Sequence, residues 1–127
     1  MNYIPPWDAS KRWAVCSPLL EKAIALQTSW DLPSLFTEII NSRMHLWEIP
    51  GKAAFVTQIQ SFPKERLCVI VLCGGVGMHE WTQDGIDTFT AYAKFNGCHS
   101  IVIVGRPGWQ KIWPGFDCVD TVMRRNL

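Results

Sequence analysis

The chain has 127 residues, enough for one domain with one core, and a hydrophobic fraction of 48% with seven tryptophans supplies the interior. A charged fraction of 18% leaves little solvated surface, so some apolar exterior is expected to be covered by a protein partner or a second copy of the chain. The net charge of +1 argues against a dedicated nucleic-acid binder, and the longest apolar run, Leu67 to Cys73, is far too short to span a membrane.

The five cysteines are Cys16, Cys68, Cys73, Cys98 and Cys118. Their number is odd, none forms a C-x-x-C pair, and three sit in or beside apolar runs. Buried reduced thiols explain this better than disulfides or zinc, and imply a reducing cytosol. The N-terminus lacks a basic start and a long apolar stretch, so no signal peptide is expected. His45, His79 and His99 show no ligand spacing such as H-x-x-x-H, so no metal is expected either.

Residues 1–16 are rich in Pro and Trp and are expected to be irregular, with a single domain over 17–127. Ser17-Pro18 predicts a helix start, a hydroxyl at the N-cap and proline at the first helical position. Leu19, Leu20, Ala23, Ile24 and Leu26 supply its apolar stripe. Asp31-Leu-Pro33 opens a second helix, carried by Leu35, Phe36, Ile39 and Ile40. From Met44 the period changes: Met44 to Ile49 and Ala53 to Gln60 read as two strands of a hairpin around Pro50-Gly51.

Leu67 to Cys73 is continuous and β-branched, as suits a central strand covered on both faces. Gly74, Gly75 and Gly77 follow directly. A helix from about Met78 to Phe95 places Trp81, Ile86, Phe89, Tyr92 and Ala93 inward, and Asn96-Gly97 closes it. Ser100 to Val104 reads as a second buried strand. Gly105-Arg-Pro-Gly-Trp109 leads into a short helix through Trp113, and Cys118 to Met123 reads as a last strand. The order predicts an α/β (α+β) mixed sheet with helices on both faces.

A glycine-rich turn between a buried strand and a helix can hold a phosphate, because the first helical amides are unpaired and the macrodipole favours negative charge. The G-x-G-x-x-G spacing is not met, since Gly75 and Gly77 are followed by Glu80, and the turn carries no glycine–lysine pair of a P-loop. Such a turn is equally explained by a strand reversing sharply into a helix.

The order hairpin, buried strand, Gly-x-Gly turn, helix, buried strand, short helix and Gly115-Phe116 resembles the GNAT (GCN5-related N-acetyltransferase) superfamily, onto which residues 17–127 can be laid. The resemblance implies a V between the strands Leu67–Cys73 and Ser100–Val104. Acetyl-CoA would enter it, with Cys73, Gly74, Gly75, Val76, Gly77, Met78 and His79 as the cofactor-binding turn. More narrowly, Ser42-Arg-Met-His-Leu-Trp47, Val69-Ile-Val-Leu-Cys-Gly-Gly75 and Gly105-Arg-Pro-Gly-Trp109 through Pro114-Gly-Phe116 resemble short phage-encoded GNAT-like proteins. Such proteins are commonly assigned to the virion-morphogenesis region, which implies the host cytoplasm or the virion.

The chain departs from the enzyme pattern at three places. Leu72 stands where the family's turn signature carries Arg or Gln, and Lys111 stands where a tyrosine commonly serves as general acid. Glu80, Asp84 and Asp87 open the helix after the turn, where they stabilise its N-terminus yet would repel a pyrophosphate; His79 is the one nearby residue that would compensate.

Glu48, His79 and Lys111 are therefore the candidate catalytic groups, with His45 and His99 as further acid–base candidates. Glu48 would face a substrate cleft or else be solvated. Cys73, just before a helix start, is a stabilised thiolate or a packed thiol. Arg106, Trp109, Lys111, Trp113, Arg124 and Arg125 either grip phosphates and bases or cap the sheet. Two functions compete: an acetyl-CoA-dependent N-acyltransferase, and a non-catalytic phage virion, morphogenesis or host-interaction protein that keeps the fold. An open cleft between the strand ends at Cys73 and Val104 would mark the first; a cleft filled by Trp81 or Trp109 would mark the second.

Overall fold

The computed structural model describes residues 1–26, 29–105, 113, 115–119 and 123–127. Within these, the chain forms β1 (Asn2–Ile4), α1 (Pro6–Ile24), α2 (Leu32–Ile40), β2 (His45–Ile49), β3 (Ala53–Ser61), β4 (Arg66–Gly75), α3 (Met78–Phe95) and β5 (Ser100–Ile103). The strands make one five-stranded sheet in the order β1-β2-β3-β4-β5. The first four are antiparallel neighbours, and β4 and β5 run parallel across the α3 crossover.

The N-terminal residues are not irregular. Asn2–Ile4 pairs with Leu46–Glu48 as an edge strand, and Pro6 opens a 19-residue helix in the favoured first position, after Pro5 at the N-cap. Ala9, Cys16 and Leu20 bury one stripe of that helix against the sheet. Ser17-Pro18 does not start it: Pro18 lies inside α1, its missing amide outweighed by packing on both sides. In α2 the N-cap works as expected, the Asp31 side chain accepting from the Ser34 amide at 2.8 Å.

Alternation along the strands sorts the core into two layers. Ile4, Leu46, Ala54, Val56 and Leu72 meet Cys16 and Leu20 of α1 and Leu35 and Ile39 of α2. Trp47, Phe55, Ile70 and Cys73 meet Trp81 and Phe89 of α3 on the opposite face, together with Trp113. Edge-to-face contacts knit this second layer, with Phe55 5.1 Å from Trp81 and 5.3 Å from Phe89 between ring centroids. Helices therefore cover both faces of the mixed sheet, as the element order requires.

Of the expected C-terminal elements, the short helix over 109–113 lies outside the described residues except for Trp113. In the expected last strand, Cys118, Val119 and Met123 have no regular structure, and residues 120–122 lie outside the description.

Candidate functional site

Two irregularities of β4 create the site. Val56 pairs with Leu72, but the next residue, Thr57, pairs with Ile70, so Val71 is the extra residue of a bulge. A bulge bends its strand and increases its twist. The parallel pairing of β4 with β5 ends at the same level, at Ile70↔Ile103, although β4 continues to Gly75. Beyond Ile70 the two strands part, and the chain opens a cavity of about 820 Å³ between them.

Val71 to Val76 line this cavity from one side and Ile103, Val104 and Gly105 from the other. The roof is the end of α1 and the link to α2, including Lys22, Leu26 and Trp30. Val76 and Val104 on its walls are 64% and 61% exposed, so it opens to solvent. Trp81 lies at its margin but does not fill it: the ring is buried and its Nε1 donates to the Val76 carbonyl at 2.9 Å. Trp109 lies outside the described residues.

The glycines of the turn divide by task. A Cβ on Gly74 would stand 2.0 Å from the Leu19 carbonyl oxygen, and one on Gly75 2.3 Å from the Lys52 carbonyl oxygen. Both glycines serve close backbone crossing. Gly77, at φ 68°, is the N-cap of α3 and supplies the left-handed residue that turns strand into helix.

Backbone groups then sort by direction. Val76 donates its amide to the Lys52 carbonyl at 2.8 Å, so that amide is spoken for. Alternation along the antiparallel ladder turns Gly74 toward β3 with Val76, and turns the polar groups of Cys73 and Gly75 toward the open side. The amides of Gly77, Met78 and His79 have no protein acceptor among the described residues.

The acidic start of α3 is partly neutralised by a lysine that the sequence did not single out. Lys52, from the β2–β3 turn, donates to Glu80 at 2.6 Å and holds its carboxyl below the usual carboxylate range. Asp84 pairs with the terminal amine of Met1 at 3.2 Å. Leu72, in the family's Arg or Gln position, is buried against α1 and α2.

The candidate acid–base groups disperse. Glu48 is neither solvated nor in the cavity: it is buried under α1, takes a two-pronged ion pair from Arg12 at 2.8 and 2.9 Å, and faces the Cys16 sulfur at 3.5 Å. His79 is exposed on the first turn of α3 and does not line the cavity. His99 is exposed, its Nδ1 accepting from the Arg66 amide at 3.2 Å. His45 bonds to the Tyr92 hydroxyl beneath α3; burial lowers its pKa and pushes Tyr92 up to about 12. Lys111 lies outside the described residues.

Cys73 lines the cavity, but burial pushes its thiol up to about 12, so it is a packed thiol rather than a thiolate. Trp113 is buried against Gly85, while Arg124 and Arg125 are exposed; Arg106 and Trp109 lie outside the described residues.

Sequence reading also missed Gln58 and Gln60. They sit two apart on β3, on the α1 face that otherwise carries Ala54 and Val56, and both line the cavity with Trp30. Gln60 Nε2 donates to Gln58 Oε1 at 3.0 Å. Two polar side chains ending an apolar strand face were the legible signal.

No protein-family model matches the sequence, and no curated protein does. Solved structures do match over nearly the whole chain. A predicted acetyltransferase with acetyl-CoA from Clostridium acetobutylicum shares 15% identity at a TM-score of 0.69, covering 98% of this chain and 94% of its own. A ribosomal-protein-alanine N-acetyltransferase from Brucella melitensis biovar Abortus 2308 shares 13% at 0.63, covering 98% of each. An aminoglycoside acetyltransferase from an uncultured soil metagenomic sample, in complex with sisomicin, shares 11% at 0.65, covering 99% and 94%. The fold is GNAT-like: a five-stranded mixed sheet with helices on both faces and a parted β4–β5 pair.

Proposed function

We propose that this protein is an acetyl-CoA-dependent N-acyltransferase whose donor lies in the cavity between β4 and β5. The observation that carries the reading is that cavity, open where the enzyme alternative requires it and unfilled by Trp81. Its volume is within the range of small-molecule sites, and its walls are mainly apolar with a few directed polar groups.

The residues present fit the donor. Pantetheine is an extended chain with amide groups, and the Cys73 and Gly75 backbone offers a strand edge for it to pair with. The pyrophosphate would lie at the amides of Gly77, Met78 and His79, where the helix dipole also favours it. Lys52 offsets the negative charge of Glu80 there.

When bound, acetyl-CoA supplies a thioester carbonyl that an amine can attack directly. The chain's part is to hold donor and amine together and to exclude water, a contribution worth several kcal/mol in oriented reactions. The described cavity wall carries no Asp, Glu or His, and Cys73 stays a neutral thiol at ordinary pH. An attacking amine that arrives neutral needs no base from this described wall.

The narrower affinity with short phage-encoded proteins rests on the three sequence stretches alone, of which Met44, Leu46, Trp47 and Val69 are core residues here. A non-catalytic virion or host-interaction role is favoured by Leu72 in the signature position and opposed by the open cavity. Amide hydrogen exchange tests the reading: acetyl-CoA should slow exchange over Cys73–His79 and leave Asn2–Ile4 unchanged. Equal exchange with and without acetyl-CoA would remove the donor site.

A further inference from the structure

The cavity has a second half that the donor does not need. On the α1 face, Gln58 and Gln60 with Met44 and Val69 form a floor of the cavity, which Trp30 and Lys22 also line. From that floor the space runs through to the parted strands at Cys73.

Among the described residues of this wall the charges are of one sign. Lys22 and Arg124 line the cavity, and no carboxylate does among the described residues. Lys22 lies on the last turn of α1, one helical turn beyond Leu19, whose carbonyl crosses Gly74. Its ammonium takes part in no ion pair among the described residues. Gln58 and Gln60 are half-buried amides that can accept from an N–H without adding charge.

We infer that this half of the cavity takes the acyl acceptor, and that the acceptor is a small primary amine carrying an anionic group. The inference rests on the acyl-transfer reading of the same cavity. The Lys22 ammonium on this wall attracts a carboxylate or phosphate and repels a second ammonium, so diamines and polyamines are selected against. The same field favours the uncharged form of the reacting amine, the form that a site without a described base requires. The glutamine carbonyls receive the amine N–H, and the amine nitrogen forms the amide bond as the thiol of CoA leaves with the proton.

Three amines of equal length separate the charge term from everything else: 4-aminobutanoate, 4-aminobutanamide and 1,4-diaminobutane. Their binding to the full chain is measured by ligand-observed NMR, without acetyl-CoA, on the natural protein and on Lys22→Glu. The natural protein should bind the carboxylate about tenfold more tightly than the diamine, with the amide between. Lys22→Glu should reduce that ratio to about one or invert it. Because the ratio is taken within each protein, partial unfolding of the variant cannot mimic the result.

Equal or tighter binding of the diamine by the natural protein would overturn the inference, as would a ratio unmoved by Lys22→Glu or no binding of any of the three at about 10 mM. Acetyl-CoA binding is measured separately on the natural protein. Its loss would sink the acyl-transfer reading, while a diamine preference with acetyl-CoA still bound would sink the acceptor assignment alone.

Discussion

The α-carbon of Gly74 lies so close to Leu19 that a methyl group there would stand 2.0 Å from the Leu19 carbonyl oxygen. This contact sets the height of α1 over the end of β4, and with it the roof over the parted strands. The obstructing atom is backbone, so it cannot swing aside as a side chain would. Gly74→Ala should cost about 3 kcal/mol, read as a lower urea midpoint with unchanged slope. A midpoint equal to that of the natural protein would mean that α1 is free to lift.

The Arg12–Glu48 pair supports the fold and leaves the chemistry alone. Glu48→Gln keeps the shape but halves the charge-assisted bonding of a buried group, and should cost about 2 kcal/mol. Acetyl-CoA affinity should be unchanged in the variant. A variant as stable as the natural protein, with weakened acetyl-CoA binding, would return Glu48 to the site.

Stability should peak between neutral pH and the titration of free thiols. Burial pushes Cys16, Cys68 and Cys73 each up to about 12. An unfolded chain releases these protons from about pH 8.5, whereas the native chain keeps them. The unfolded state then binds fewer protons, so stability is full below about pH 8.5 and falls as pH rises toward 12.

His45 acts at the other end. Burial lowers its pKa, so below about pH 6.5 the unfolded chain takes a proton that the native chain refuses, and stability falls as the pH is lowered. Urea midpoints at pH 5.5, 7.5 and 10 should be highest at the middle value. A midpoint still rising at pH 10 would contradict the buried thiols.

Thiol reactivity should follow exposure. Cys118 is exposed and Cys98 half-buried, whereas Cys16, Cys68 and Cys73 are buried. Brief alkylation of the native chain at neutral pH, read by mass spectrometry, should label Cys118 first and reach Cys73 only in denaturant. Early labelling of Cys73 would reveal a thiolate in the cavity.

Much of the scaffold was legible because local chemistry and global packing agree there. In α3 the Gly77 start, the buried spacing of Trp81, Phe89 and Ala93 and the Asn96-Gly97 exit all point to the same helix. β4 was legible from its β-branched run. The first turns of α1 were hidden because Pro5-Pro6 reads as loop unless Pro6 is placed at the first helical position. The stripe Ala9, Cys16 and Leu20 becomes visible only once that start is granted. The parting of β4 from β5 depends on a bulge at Val71 and on where pairing ends, and neither is written in composition. Lys52 reaches Glu80, and Arg12 reaches Glu48, through register between distant segments, which no local pattern announces.

The central claim is that the space between β4 and β5 holds acetyl-CoA, and calorimetric titration tests it most directly. The natural chain and Val104→Trp should be titrated side by side, since Val104 lines the cavity and is exposed enough to carry a larger side chain. The natural chain should bind acetyl-CoA with a Kd of about 1–100 μM, and the tryptophan variant should lose about tenfold or more while melting at the same temperature. No heat from the natural chain at about millimolar ligand, or equal affinity in the blocked variant, would place any activity of this protein elsewhere.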